Sequence, residues 1–231
     1  MRYFALATDY DDTLASEGRI DDATLASLAR LKGSGRRLLL VTGRTLSDLK
    51  SVFARVDLFD RIVAENGAVL FEPAFAALRA LGEPPPREFV DALREQGVEP
   101  LQVGRVIVST RHPHESVVLD TIRSMRLDLH VELNKGAVMV LPAGVTKRSG
   151  LLAALDPMGL SARNVVGVGD AENDVSFLTA CGFAVSVENA LASVKERSDW
   201  VTSAPRGRGV SELIERMIGE DPSTPSGEAS R

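Results

Sequence analysis

The chain has 231 residues, of which 44% are hydrophobic and 26% are charged, and its formal net charge is −5. This length is sufficient for one large domain or for one domain with a small insertion. The acidic balance argues against a nucleic-acid-binding protein, which would carry a basic surplus, and the single cysteine, Cys181, excludes an internal disulfide.

The first 75 residues alternate short apolar runs with helical patterns. Strands are predicted over 4–8, 36–41, 61–64 and 69–71, and helices over 21–32 and 46–56. Gly33 follows the first helix, as expected at a helix end, and Thr45 or Ser47 is a suitable cap for the second. Asn66-Gly67 predicts a tight turn between the last two strands.

The pattern changes after residue 75. The stiff connector Pro84-Pro85-Pro86 precedes a block of mixed patterns with its own small apolar face. Within this block, helices are predicted over 87–96 and 114–126, and strands over 101–110, 128–133 and 137–141. We therefore predict that residues 76–143 form a small α+β domain inserted into a core domain of residues 1–75 and 144–220.

The alternation of strands and helices resumes at residue 144. Helices are predicted over 147–155, from the turn after 169 to 180, over 189–197 and over 209–218, and strands over 164–168, 183–187 and 200–201. This rhythm predicts an α/β fold with a doubly wound, Rossmann-like parallel sheet. Residues 221–231 are rich in Pro, Ser and Gly, and we expect them to be disordered.

The end of the first predicted strand carries three carboxylates, Asp9, Asp11 and Asp12. Charges at the end of a buried strand are costly to desolvate unless a cation meets them. A divalent ion suits clustered carboxylates, because hard cations prefer oxygen ligands. On this stretch alone, an acidic turn that caps the next helix is an equally good interpretation.

Further polar turns follow two other predicted strands. Thr42-Gly43-Arg44 ends the second strand, and Gly169-Asp170 begins a turn that runs to Asp174. Lys147 lies at a predicted helix start. In a doubly wound sheet these positions converge at the carboxyl edge of the strands. Together they supply a nucleophile, donors and positive charge for phosphate oxygens, and carboxylates for a cation, which is what phosphoryl transfer requires.

Taken in order, these motifs resemble those of the haloacid dehalogenase superfamily of phosphatases. The matching residues are Asp9-x-Asp11-x-Thr13, Thr42-Gly43-Arg44, Lys147 and Gly169-Asp170-x-x-Asn173-Asp174. The resemblance extends from residue 1 to about residue 218. The insertion between the second and third motifs resembles a type II cap, and Glu65-Asn66-Gly67-Ala68 is similar to a turn of the Cof-like and sucrose-phosphatase-like branch.

The resemblance implies a role for each motif. Asp9 would be the nucleophile that forms an aspartyl-phosphate, and Asp11 the general acid and base. Thr42 and the Gly43 amide would bind phosphate, and Lys147 would neutralise its charge. Arg44 and Asn173 would lie near phosphate, with Asn173 favoured to orient Asp170. Mg²⁺ would be held by Asp9, the Asp11 carbonyl and Asp170, and Asp174 would bind it either directly or through one of these ligands or a water.

One position departs from the family. Many relatives have Gly where this chain has Asp12. The sequence assigns no function to this extra carboxylate, which can equally cap the following turn.

The inserted block has a basic bias. Its candidate substrate-contacting residues are Arg105, Arg111, His112, His114 and Lys135. Lys135 is the first choice, because it lies in a turn between two predicted strands, from which a side chain can point out of the sheet. A solvated surface is the alternative interpretation for each of these residues.

The sequence thus predicts a Mg²⁺-dependent phosphatase for a small phosphorylated metabolite, either a sugar phosphate or a phosphorylated acid. A phosphomutase of the same superfamily is one alternative. A phosphorylation receiver or a catalytically silent metabolite-binding protein is an alternative of another class. A receiver, however, has no cap and lacks the Gly-Asp-x-x-Asn-Asp turn.

Location is predicted from what the sequence lacks. No apolar run reaches the ~20 residues of a membrane span, and the apolar stretch over residues 3–7 is too short for a secretory signal. We therefore expect a soluble cytoplasmic protein that binds neither membranes nor nucleic acid. The sequence leaves its oligomeric state open.

Overall fold

The computed structural model describes residues 2–219. Its strands are β1 (Ala5–Thr8), β2 (Arg37–Val41), β3 (Arg61–Ala64), β4 (Val69–Glu72), β5 (Ala77–Ala80), β6 (Gln102–Val103), β7 (Val108–Arg111), β8 (Leu129–Asn134), β9 (Ala137–Pro142), β10 (Val165–Gly169), β11 (Phe183–Ser186) and β12 (Trp200–Val201). Its α-helices are α1 (Asp22–Gly33), α2 (Leu46–Val52), α3 (Arg87–Glu95), α4 (Glu115–Ser124), α5 (Lys147–Leu155), α6 (Val175–Leu178), α7 (Ala192–Lys195) and α8 (Arg206–Gly219). The mixed α/β fold agrees with the sequence prediction.

The larger sheet has eight strands in the order β12-β11-β10-β1-β2-β3-β4-β5. Neighbours from β12 to β3 pair in parallel, whereas β3–β4 and β4–β5 pair antiparallel. Every residue of β1 is buried, because a parallel sheet is covered by helices on both faces. Strand β1 lies between β10 and β2, so the turns after these three strands meet at one edge.

Strand β5 was not predicted. Residues 77–80 were assigned to the inserted block, but they pair with β4 at the edge of the larger sheet. All four residues are exposed, and the sequence Ala-Leu-Arg-Ala has little preference for strand structure. The predicted boundary at residue 76 is therefore too early, and the chain leaves the larger sheet only after Ala80.

The inserted block folds as a four-stranded sheet in the order β6-β7-β9-β8 with helices α3 and α4. Alternate residues of β9 serve two cores, as expected from the period of a strand. Val138 and Val140 pack in the small core of the block, whereas Met139 and Leu141 belong to the large core of the chain. We call this block, which runs from the start of α3 to the end of β9, the cap. The face of its sheet that carries α3 and α4 is its outer face.

Two further sequence predictions concern membrane-spanning helices and the C-terminal tail. Between residues 2 and 219, no helix is long and apolar enough to cross a membrane. The tail predicted over 221–231 lies outside the described residues.

Candidate active site

The deepest part of the site is an ion-pair cluster around Lys147. Its Nζ donates to Oδ1 of Asp9 at 2.6 Å and to Oδ1 of Asp174 at 2.5 Å, and all three residues are buried. Burial raises the pKa of Asp9, and the charge of Asp174 raises it further, although Lys147 opposes both. Burial would lower the pKa of Lys147, but the two carboxylates outweigh burial and raise it. Lys147 is therefore held as a cation beneath Asp9.

The start of α5 is built to place Lys147 here. Thr146 caps the helix, and Ser149 completes a capping box. Gly67 packs against this helix start with φ of +108°, and a Cβ at Gly67 would lie 2.0 Å from the Thr146 carbonyl oxygen. Only glycine tolerates both this positive φ and this close contact. The Asn66-Gly67 turn therefore packs directly against the helix start that carries Lys147.

Three buried carboxylates form a candidate metal centre. Asp9, Asp170 and Asp174 each offer an oxygen, and these oxygens all lie within 4.8 Å of one another. Burial raises the pKa of Asp170. Thr13 donates to its Oδ1 at 2.9 Å, and the Asp170 and Ala171 amides donate to Asp174 at 2.9 and 3.0 Å. A crowded set of carboxylate oxygens fits a hard cation such as Mg²⁺, which would relieve their mutual repulsion.

The carboxylate of Asp11 is bound by the guanidinium of Arg44. Arg44 Nε and Nη2 donate to the two oxygens of Asp11 at 2.7 and 2.8 Å, and Nη1 donates to Asp48 at 2.7 Å. The Arg44 guanidinium also stacks over the ring of Tyr10, 5.5 Å from its centroid. The fully buried Thr42 accepts from the Arg44 amide at 3.1 Å. The structure thus places Arg44 on Asp11, where the sequence predicted a contact to phosphate.

A cleft of about 720 Å³ opens above these residues, within the usual ~300–1,000 Å³ of ligand sites. Its lining combines the core residues Asp9, Asp11, Asp12, Gly43, Arg44, Lys147, Asp170 and Asn173 with cap residues such as Gln102, Ser109, Arg111, Asn134, Lys135 and Met139. The cap sheet therefore forms a roof over the carboxylates.

Two of the five basic cap residues predicted to face a substrate line this cleft, namely Arg111 and Lys135. Lys135 Nζ donates to Asp170 at 2.6 Å and to Asp12 at 2.9 Å. His112 instead pairs with Glu115 at 2.8 Å. The other two, Arg105 and His114, are not lining residues, and the His114 ring contacts a backbone carbonyl within the cap.

The sequence missed the residue that ties the cap to the core. The carboxylate of Glu65, which is buried at the end of β3, accepts the amides of Arg105, Val106 and Ile107 at 2.7–2.9 Å. A Cβ at Gly104 would lie 2.8 Å from this carboxylate, so a larger residue there would displace the carboxylate from the three amides. A charge at the end of a buried strand is the same signal that singled out Asp9, and it would have found Glu65.

A second cap contact runs through Asn66. Its Nδ2 donates to Glu132 of β8 at 2.5 Å, and its Oδ1 accepts Asn173 Nδ2 at 3.0 Å. Asn66 was predicted to be turn chemistry alone, and Asn173 was predicted to orient Asp170 or to touch phosphate. The structure joins the two amides into a chain from the cap to the metal-site turn, and Asn173 also lines the cleft described above.

Comparison with known proteins places this site in a family. The haloacid dehalogenase-like hydrolase family matches residues 6–105 and 93–214. The phosphoglycolate phosphatase of Methanothermobacter thermautotrophicus is 32% identical over 223 residues, which cover 93% of this chain and 99% of that protein.

Two solved structures have the same fold. A sugar phosphatase of HAD subclass IIB has a TM-score of 0.76 at 22% identity and covers 92% of this chain and 98% of its own. A putative HAD/COF-like hydrolase of Plasmodium vivax has a TM-score of 0.80 at 16% identity and covers 94% and 96%.

The family match includes the cap, which a phosphorylation receiver does not have, and it therefore excludes that alternative. The chain belongs to the haloacid dehalogenase-like hydrolase family, as its four motifs predicted, and it is a phosphoric monoester hydrolase.

Proposed function

We propose that the chain is a Mg²⁺-dependent phosphatase that hydrolyses a small phosphorylated metabolite through an aspartyl-phosphate on Asp9. The observation that carries this proposal is the Asp9–Lys147 ion pair at the floor of a roofed cleft. A buried carboxylate held by an ammonium is positioned for attack and faces positive charge where phosphate oxygens would gather.

In the first step, a carboxylate oxygen of Asp9 attacks phosphorus as the bond from phosphorus to the leaving oxygen breaks. Asp11 donates a proton to that leaving oxygen. In the second step, Asp11 takes a proton from water, and the water oxygen attacks phosphorus. The bond between Asp9 and phosphorus then breaks, and inorganic phosphate is released.

Arg44 has a consequence for this sequence of steps. Arg44 donates to both oxygens of Asp11 at 2.7 and 2.8 Å, which fixes the direction in which this carboxylate points. For the first step, protonated Asp11 has to exchange the Arg44 fork for the leaving oxygen. We therefore assign Arg44 to the orientation of Asp11.

The residues that would hold Mg²⁺ are Asp9, Asp170 and Asp174, and the family resemblance adds the Asp11 carbonyl as a further ligand. When bound, the ion would supply charge neutralisation for the phosphoryl oxygens. Lys147 adds a fixed positive charge below Asp9 whether or not the ion is present.

A phosphorylated acid is the first candidate substrate. The relative from Methanothermobacter thermautotrophicus is named a phosphoglycolate phosphatase. The cationic cap residues Arg111 and Lys135 line the cleft and suit a second anionic group. A sugar phosphate is the second candidate, because the cleft of about 720 Å³ is larger than a two-carbon acid needs.

The test is phosphate release with Mg²⁺ from 2-phosphoglycolate, 3-phosphoglycerate, glucose 6-phosphate and p-nitrophenyl phosphate, followed by acid quench and peptide mass spectrometry. We expect the highest kcat/KM with a phosphorylated acid and a phosphorylated peptide that contains Asp9. The Asp9→Asn variant is the matched control and should give no phosphopeptide. Phosphorylation elsewhere, or no release from any ester, would contradict the proposal.

A further inference from the structure

Asp12 has an unusual backbone that its surroundings hold in place. Its φ is +57°, in the left-handed region that favours glycine. Asn189 Nδ2 donates to the Asp12 carbonyl at 2.8 Å, and Asn189 Oδ1 accepts the Arg206 amide at 2.8 Å. An aspartate therefore adopts a backbone conformation that glycine would adopt with less strain, and two hydrogen bonds of Asn189 hold this turn in place.

The Asp12 carboxylate joins the core to the cap. Its Oδ1 accepts Arg206 Nε of α8 at 3.2 Å, and its Oδ2 accepts Lys135 Nζ of the cap at 2.9 Å. The side chains of Asp12 and Lys135 are 39% and 38% exposed. A pair this exposed is weak and reversible, unlike the buried Glu65 anchor.

Lys135 reaches Asp12 from the tip of the β8–β9 hairpin. Lys135 and Gly136 have φ of +47° and +81°, which is the backbone of a tight hairpin turn. The same ammonium donates to Asp170, one of the three candidate metal ligands, at 2.6 Å. The hairpin tip is therefore bound through Lys135 to two carboxylates, those of Asp12 and Asp170. A cation at the metal centre would compete with Lys135 for Asp170.

We propose that Asp12 is a positioning residue whose contact with Lys135 latches the β8–β9 hairpin over the cleft. This inference rests on the proposed function, since it concerns the Mg²⁺-loaded enzyme. Without metal, Asp170 and Asp12 share Lys135. Mg²⁺ bound to Asp170 would compete with Lys135 for that carboxylate. Asp12 would then be the carboxylate that still binds Lys135 and keeps the hairpin tip over the cleft. Glu65 binds the cap at residues 105–107, and Asn66 binds Glu132 within β8. The latch therefore acts only on the tip of the hairpin.

The test is amide hydrogen exchange of peptides from residues 129–142, measured with and without Mg²⁺ for wild type and Asp12→Asn. Asparagine keeps the size of the side chain and tolerates the left-handed backbone. With Mg²⁺, we expect exchange in Asp12→Asn to be about two- to fivefold faster than in wild type, the range of an exposed ion pair. Without Mg²⁺ the difference should be smaller, because Asp170 still holds Lys135. The matched control is Asp120→Asn on the outer face of the cap, whose exposed pair with Arg123 is remote from the cleft.

A double-mutant cycle distinguishes a latch from a general loosening. Lys135→Ala should speed exchange as Asp12→Asn does, and the double variant should exchange no faster than Lys135→Ala alone. For the best phosphorylated substrate, both single variants should raise KM about two- to fivefold and change kcat less. Equal exchange in wild type and Asp12→Asn with Mg²⁺, or additive effects in the cycle, would overturn the proposal. Hydrogen exchange can be measured without turnover. If the protein were inactive on every ester, the proposed function would be contradicted, and the exchange measurements would still test the latch.

Discussion

The ammonium of Lys147 lies 2.6 Å from Oδ1 of Asp9, although 138 positions separate the two residues in the sequence. Asp9 ends the central strand β1, whereas Lys147 begins the helix that follows the cap. The insertion of a complete second sheet between them leaves their contact intact. The proposed nucleophile and its cation thus both come from the core, whereas the cap covers them and lines the cleft with residues such as Arg111 and Lys135.

Replacing Asp9 by Asn should abolish turnover and leave the fold intact. We expect a loss of at least ~10³-fold in kcat, as is typical when a catalytic nucleophile is removed. Because burial raises the pKa of Asp9, its ionised form costs stability at neutral pH, and a neutral amide removes that cost. The Tm of the variant at neutral pH should therefore equal or exceed that of wild type. Asp57→Asn, on an exposed surface pair, is the control, and retained turnover in pure Asp9→Asn would refute the assignment.

Replacing Lys147 by Met should destabilise the protein by about 3–5 kcal/mol, because it leaves two buried carboxylates without their cation. The free energy of unfolding is measured by urea titration in metal-free buffer. The folded-state pKa of Lys147 is raised above 10.5, so its stabilising contribution is complete below that pH and is lost as pH rises further. The gap between wild type and Lys147→Met should accordingly narrow in alkaline buffer. A gap that widens there would mean that the ammonium does not supply the stability.

The residues of the candidate core site could be chosen from the sequence because each motif is local, at a strand end for Asp9 and Asp170 and at a helix start for Lys147. The order of the strands in the sheet then brings these residues together. The missed features depend on side chains far apart in the chain. The contact between Asn66 and Glu132 spans 66 positions, and which face of β8 meets the core is set by how the cap docks.

Arg44 shows the same limit within the core. Its position after β2 was predicted, but its fork on Asp11 depends on the register of β1 against β2, which the sequence pattern does not specify.

Removal of metal should inactivate the enzyme, and Mg²⁺ should restore it better than Ca²⁺. Both ions accept carboxylate oxygens, but phosphoryl transfer suits the smaller octahedral ion. Asp170→Asn should raise the Mg²⁺ concentration needed for half-maximal activity by more than it raises KM for substrate. Activity after EDTA treatment and titration with each ion measures this, again with Asp57→Asn as the control. Undiminished turnover in metal-free buffer would remove the basis of the mechanism.

Replacing Glu65 by Ala should loosen the cap. Three backbone amides lose a charged acceptor, and unsatisfied buried donors cost about 1–3 kcal/mol. We expect a lower Tm and faster hydrogen exchange over residues 102–107. Gly104→Ala should have a similar effect, because the added Cβ would meet the Glu65 carboxylate. Glu72→Gln, which alters a partly exposed pair with Arg61, is the matched control. If exchange over 102–107 is unchanged in Glu65→Ala, the anchor lies elsewhere.

Replacing Arg111 by Ala should change substrate choice without changing the chemistry. Arg111 lines the cleft from β7 of the cap, whereas Asp9 and Lys147 line it from the core. A phosphorylated acid would gain orientation from its guanidinium, whereas a small generic ester would not. We expect kcat/KM for the best natural substrate to fall by about 1–3 kcal/mol in free-energy terms, with little change for p-nitrophenyl phosphate. His112→Ala is the matched control, because the neighbouring His112 pairs with Glu115 and does not line that cleft. Equal losses on both esters would assign Arg111 to the fold of the cap, and no loss on either would leave substrate choice to Lys135.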